Sequence, residues 1–298
     1  VSETSPELLR KLATASDLQS VVRTMKALAA SNIGQYQRSV RSLEEYNRAV
    51  ELGLGAALRA SPASDSRAPA KGRPGDAAYG AIVFGSDQGL VGQFNDVVAD
   101  FALKHFASLP GRPNVWAVGE RVHARLADAG VQMVGLFPVP GSVEAIPPLV
   151  GQIQIESEAH RAAGDYARVF VFHNQPRAGA LYVPVALRLL PLDAQWRARL
   201  SAIPWPTHTL PEVLSGGTVA LRALIREYLF ISLFRASAES LASENASRLA
   251  AMQRADKNID DLIDGLQTTF HRVRQTAIDE ELFDVTSGFE ALSKRQAP

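Results

Sequence analysis

LRALIREYLFISLFRASAESLASENASRLAAMQRADKNIDDLIDGLQTTFHRVRQTA, from Leu221 to Ala277, is the stretch that decides the architecture. Within it Leu221, Leu224, Tyr228, Ile231, Arg235, Ala238, Ala242, Asn245, Leu249, Met252, Asp256, Ile259, Ile263, Leu266, Phe270, Val273 and Ala277 recur at alternating intervals of three and four. That spacing keeps one face of an α-helix turned toward a helical partner. Only Arg235, Asn245 and Asp256 break its apolar character, and a polar residue on such a seam costs stability while fixing register. No proline occurs between Pro211 and Pro298. A helix of roughly 80 residues would reach about 120 Å at 1.5 Å per residue, more than a domain of this size spans, so it is predicted to project. At Ala277 the seam steps by one and resumes as Ile278, Leu282, Val285, Phe289 and Leu292, which changes how the helix winds on its partner.

Outward from this helix, the other end of the chain carries the complementary pattern. From Glu7 to about Ala60 there is no proline, and Val22, Ala29, Tyr36, Leu43 and Val50 form a row at intervals of seven. Ile33, Val40 and Leu54 form a second row, interrupted by Asn47. Two long seams at opposite ends of one chain satisfy each other by pairing antiparallel once the intervening segment turns the chain back. Rods and homodimers also carry long heptad seams, so the periodicity alone predicts a rod. The stretch ASPASDSRAPAKGRPGD, Ala60 to Asp76, is rich in small residues, proline and charge and reads as a linker.

Between the seams the period changes. YGAIVF (Tyr79 to Phe84), NVWAVG (Asn114 to Gly119), Val131 to Leu136, RVFVFHN (Arg168 to Asn174) and ALYVPVALRLLPL (Ala180 to Leu192) read as strands. Helices are expected at Asn95 to Leu109, from Glu120 to about Ala129, and once more before Arg168. Such alternation implies a mostly parallel sheet with covering helices. The expected class is therefore α/β: an antiparallel coiled coil of long N- and C-terminal helices with an inserted Rossmann-like α/β domain. The expected segments are an N-terminal helix over 1–60, a linker over 61–78, a globular domain over 79–208 and a C-terminal helix over 209–298.

Composition narrows the function. Lys and Arg together number 31 and Asp and Glu 31, so no net charge drives binding to nucleic acid or to an acidic membrane surface. The absence of cysteine excludes disulfides, thiolate metal sites and a cysteine nucleophile. The first residues, VSETSPELLRKLATASDLQ, lack a secretory pattern, which predicts a cytoplasmic location. The most apolar helical stretch, Leu221 to Phe234, contains Arg222, Arg226 and Glu227. It is shorter than the roughly 18 to 20 apolar residues that a bilayer span needs, so no membrane insertion is expected.

Catalytic chemistry finds little support. Gly85, Gly89 and Gly92 lie between a strand and a helix, where backbone amides can hold a phosphate. Their spacing is neither G-x-G-x-x-G nor a Walker loop, and a structural turn is the other reading. His105, His123, His160, His173, His208 and His271 show no metal-ligand spacing. Asp260, Asp261, Asp264, Asp279, Glu280 and Glu281 read as a solvated helix face or as carboxylates that meet a basic partner. No cofactor, metal or catalytic group is expected.

Three motif blocks carry a family resemblance. TMKALAASNI (Thr24 to Ile33) resembles the MKMVAASK-like stretch in the first helix of the γ subunits of F-type ATP synthases. SDQGLVGQFN (Ser86 to Asn95) is similar to that family's SDRGLCGGLN, with Val91 and Gln93 departing from it. ASENASRLAAMQRADKNIDDLIDGL (Ala242 to Leu266) and RQTAIDEELFDVTSGFEAL (Arg274 to Leu292) resemble its C-terminal blocks, in order and at matching distances. The resemblance covers nearly the whole chain. The DLQSVV-TMKALAAS wording, less basic than the family's usual N-terminus, looks more like the divergent γ subunits of alternative F-type ATPases sometimes associated with sodium. SKRQAP, after Leu292, extends past the family's usual end.

The resemblance implies a non-catalytic central shaft, peripheral on the cytoplasmic side of the cell membrane. Its implied partners are the α and β subunits of a catalytic ring, an ε subunit and a membrane c-ring. It places Met25 and Lys26 near the moving lever of a β subunit and makes Arg274, Gln275 and Glu281 contact positions, with Asp279 standing where Thr is usual. Ser86, Asp87, Gly89 and Gly92 become a landmark of the inserted domain, with no nucleotide chemistry attached. Two competing classes differ in their consequences: an enzyme built on the α/β insertion requires a nucleotide signature, and a structural coiled coil requires self-association.

Overall fold

The computed structural model describes residues 4–60, 78–163, 166, 168–209, 211 and 217–295, with side chains described as far as 287. Most of the expected linker over 61–78, and residues 296–298 of the SKRQAP extension, lie outside the described residues. The elements run α1 (Ser5–Ala60), β1 (Tyr79–Phe84), α2 (Phe94–Ser108), β2 (Pro113–Val118), α3 (Glu120–Asp128) and β3 (Met133–Phe137). They continue as α4 (Ile146–Ala162), β4 (Val169–Arg177), β5 (Ala180–Leu190), α5 (Ala194–Ser201) and α6 (Gly217–Arg295). The chain divides into two compact units, one of Val1–Leu28 with Leu249–Pro298 and one of Ala29–Arg248.

The larger unit is built on a five-stranded sheet ordered β3-β2-β1-β4-β5. β1 pairs parallel with β2 and β4, β2 pairs parallel with β3, and β5 adds antiparallel to β4 through a tight turn at Gly179. The sheet is thus mostly parallel, as the alternation of strands and helices predicts, and only the hairpin edge departs from it.

Strand alternation divides the core in two. Tyr79, Ala81, Val83, Val115, Ala117, Phe170 and Phe172 turn to one face, where Val98, Ala99 and Ala102 of α2 and Val122 and Leu126 of α3 cover them. Ile82, Phe84, Trp116, Val118, Val169 and Val171 turn to the other face. There they meet Ile146, Leu149, Val150 and Ile153 of α4, Tyr36 of α1, and Leu233, Phe234, Ala238, Leu241 and Ala242 of α6. Because its strands are covered on both faces, β1 is buried at every position.

The middle of α6 is buried all round, from Ala236 to Asn245. A seam of alternate threes and fours accounts for burial on one side only. Composition accounts for the rest: Ala236, Ser237, Ala238, Ser240, Ala242 and Ser243 are small, so neighbouring elements approach the backbone closely from several directions. Within this unit α1 and α6 run antiparallel, Asn32 reaching Asn245 and Tyr46 reaching Glu227. Val50, Leu54 and Leu58 of α1, Ile231 of α6 and Leu200 of α5 form a further core. α5, to which the sequence reading assigned no element, is capped by Asp193, which accepts from the Trp196 amide at 2.8 Å.

The smaller unit pairs the start of α1 with the second half of α6. Val22, Met252 and Ile259 are buried together, flanked by Met25, Ala251, Ala255 and Ile263. Gln19 and Arg23 meet Asp260 and Asp256 respectively, so the pair is antiparallel here also. If that register is carried outward residue for residue, Ser5 comes level with Arg274. α1 begins at Ser5, so among the described residues α6 beyond Arg274 has no α1 residue beside it; Ile278, Leu282 and Val285 of the resumed seam are exposed, as is Phe283 next to them.

Candidate functional site

The loop after β1 acts as a structural staple. Ser86 is fully buried; its amide donates to Asn95 Oδ1 at 2.9 Å, and Asn95 Nδ2 donates to Ser86 Oγ at 2.8 Å. Asp87 accepts from the Glu120 amide through Oδ1 and from the Val139 amide through Oδ2, at 3.0 and 2.9 Å. Its carboxylate thereby holds the start of α3 and the segment after β3. Gly119 makes this possible: its φ is +116°, and a Cβ there would lie 2.8 Å from the Ser86 backbone. Gly92 also has positive φ, whereas Gly89 has room around it. The loop is also tied to α6, since Ser247 Oγ donates to the Val91 carbonyl at 2.6 Å. The Ser86 amide, the Asp87 carboxylate and the Val91 carbonyl are thus committed to neighbouring elements, and the arrangement holds β1, α3 and α6 together.

Beside it, two carboxylates of α6 are buried. Glu239 accepts from Arg235 Nε at 2.7 Å and from Gln175 Nε2 at 3.0 Å, and lies 2.8 Å from His173 Nε2. Burial pushes its pKa up, but the hydrogen bonds from His173 and Arg235 outweigh this and hold it below the ordinary carboxylate range. Glu244 is paired with Arg248 at 2.6 Å; there burial dominates and its pKa is raised. Sequence reasoning missed His173 as a partner of Glu239, because nothing in local spacing joins a strand residue to a helix residue that follows it by 66 positions. Among the described residues no group of three or more His, Cys, Asp or Glu could hold a metal ion.

In the smaller unit, the residues expected to contact a partner fall in two places. Met25 is half-buried against the Val22, Met252 and Ile259 cluster. Lys26 is also half-buried, and its Nζ lies 2.5 Å from Asp256 Oδ2. Arg23 Nε meets the other oxygen of Asp256 at 3.2 Å, and these cations hold the Asp256 carboxyl below its usual range, the Lys26 hydrogen bond contributing most. Lys26 is thus engaged within its own chain. Arg274, Gln275 and Glu281 lie together on the exposed end of α6, where Gln275 Nε2 donates to Asp279 Oδ1 at 3.0 Å. That stretch has the exposed apolar residues Leu282 and Phe283 next to it.

The model of a family described as ATP synthase matches residues 4–292, both long helices and the inserted sheet included. The chain belongs to the ATP synthase γ-subunit family. Among the family's curated members, the ATP synthase gamma chain of Nitrosomonas europaea is 26% identical over 302 residues, covering 97% of this chain and 99% of that one. The gamma chain of Syntrophus aciditrophicus is 27% identical over 304 residues, covering 97% and 98%. The fold is also that of a chain in the Euglena gracilis mitochondrial ATP synthase structure of OSCP, F1 and c-ring. That likeness has a TM-score of 0.64 at 15% identity, covering 99% of this chain and 96% of the other. Among the described residues no helix is long and apolar enough to cross a membrane.

Proposed function

We propose that this γ-family chain is the central rotor shaft of an F-type ATP synthase. The end of α6 turns inside a ring of α and β subunits, and the opposite end rests on a membrane c-ring beside an ε subunit. Rotation of an asymmetric helix pair moves each β subunit through its binding states, coupling ion flow, whether of protons or of sodium, to ATP synthesis or hydrolysis. This is linkage between distant sites through an element that favours a different state at each β subunit. The chain carries torque from the cytoplasmic side of the membrane and supplies no catalytic group. In this reading Arg274, Gln275 and Glu281 form a polar catch for β, Met25 and Lys26 lie near its lever, and the segments 1–60, 61–78, 79–208 and 209–298 act as helix, linker, domain and helix.

The observation that carries the reading is a family match that spans both long helices, joined to an apolar end of α6 that, among the described residues, has no α1 residue beside it. Co-expression of the tagged chain with the α and β subunits of its own operon tests it. Recovery of one complex whose ATP hydrolysis depends on the chain is the expected result. Recovery of the chain without α and β, as a self-associated rod, overturns it.

A further inference from the structure

Beside the His173–Glu239 pair the larger unit keeps an open cleft of about 380 Å³, lined from β4, β5, α1, α5 and α6. Strand pairing sets one wall: Leu187 stands opposite Val171 and Val185 opposite His173, so these residues share the sheet face that packs on α6. β1 is buried at every position, whereas Leu187 on the edge strand is 36% exposed, and the cleft opens there. Tyr228 and Ile231 of α6 also line it. Protein interiors are close-packed, so a hollow of this size is large for a packing defect and falls within the range of ligand clefts.

Polar groups in the cleft are unevenly used. Glu239 has both oxygens engaged, Oε1 by Arg235 and Oε2 by His173 and Gln175. Glu51 accepts from Arg199 at 3.4 Å. The cations are less fully engaged: Arg235 donates through Nε alone and Arg199 through Nη1 alone, which leaves most of each guanidinium fork open. Open donors beside apolar walls suit a ligand with an anionic head and an apolar body. Because Glu51 and Glu239 balance the two cations, a single negative charge is favoured over a dianion.

We propose that this cleft binds a small amphiphilic monocarboxylate, with its carboxylate on the open ends of Arg199 and Arg235 and its apolar body against Val185, Leu187, Tyr228 and Ile231. The ligand would join α5 and α6 to the edge of the sheet. The site lies wholly within the larger unit and stands whether or not the rotor reading does.

Octanoate, titrated into the full chain and followed by the broadening of its own NMR signals, tests the proposal. Saturable binding is expected, with octylammonium, of equal tail length and opposite charge, at least about tenfold weaker. Arg199→Gln, at a half-exposed position on α5, is expected to weaken octanoate by about fivefold or more. Leu187→Trp, which fills the cleft from β5, is expected to abolish binding. The change L282S/F283S, which removes exposed apolar surface elsewhere, is expected to leave it unaltered. Lack of saturable binding, or equal binding of octanoate and octylammonium, overturns the proposal. Binding that Leu187→Trp leaves intact, or that L282S/F283S removes, does the same. Should Leu187→Trp unfold the chain, unchanged affinity in Arg199→Gln overturns the proposal by itself.

Discussion

His173 Nε2 lies 2.8 Å from Glu239 Oε2, with both side chains buried, and this one contact ties β4 to the long C-terminal helix. The same carboxylate also accepts from Arg235 and Gln175. Three partners on two elements converge on it, and removing its charge leaves their donors with a poorer acceptor in a buried place.

Glu239→Gln is therefore expected to destabilise the chain by about 3 kcal/mol at neutral pH, read from urea unfolding. Its folded-state pKa is held below the ordinary value of 4.5. The stabilisation is therefore present above about that pH and is lost as pH falls through the depressed folded value. The deficit of Glu239→Gln relative to the parent should accordingly shrink in acid. A deficit that is constant from pH 7 into the acid range contradicts the assignment.

Gly119 and Gly130 both have positive φ, but only at Gly119 would a Cβ strike the neighbouring backbone, that of Ser86. Gly130→Ala is expected to cost about 1 kcal/mol from backbone conformation alone. Gly119→Ala should cost about 3 kcal/mol or more, because the Ser86 loop must also shift. Chemical denaturation of the two variants side by side measures the difference, and equal costs would remove the close approach as its cause.

Ala238 is fully buried on a helix covered from several sides. Ala238→Leu is expected to destabilise by about 2 kcal/mol through overpacking, although leucine is a good helix former. A neutral or stabilising result in thermal unfolding would mean that the small residues of this stretch are not what lets the neighbouring elements close on α6.

Leu282 and Phe283 are 65% and 72% exposed. The double change to serine is expected to leave unfolding of the isolated chain within about 0.5 kcal/mol of the parent. On the proposed rotor reading, the same variant is expected to weaken retention of the chain by α and β subunits, measured by the fraction that co-elutes. Full retention would argue against this end as a partner surface.

The seam residues show what the sequence determined alone. A helix presents every third and fourth residue to one side whatever lies there, so the long helices and their antiparallel pairing were legible from Val22, Tyr36, Val50, Ile231, Ala238 and Met252, all of which are buried. Strands β1, β2 and β4 were legible for a similar reason, as short apolar runs bounded by turns. The SDQG block was legible as a landmark, but not its work, because Asp87 earns its role from amides at Glu120 and Val139, which only the fold brings to it. β5 was legible as a strand, but its antiparallel pairing at the sheet edge, the all-round burial of α6 and the His173–Glu239 contact needed the tertiary structure. So did the engagement of Lys26 by Asp256: the resemblance placed Lys26 toward a partner, while the packing of the two helices gives it a counter-ion in its own chain. Local periodicity is a property of the backbone and can be read residue by residue. Which face of a helix wins, and which charges meet, depends on burial and on pairs far apart in sequence, and only the assembled fold decides them.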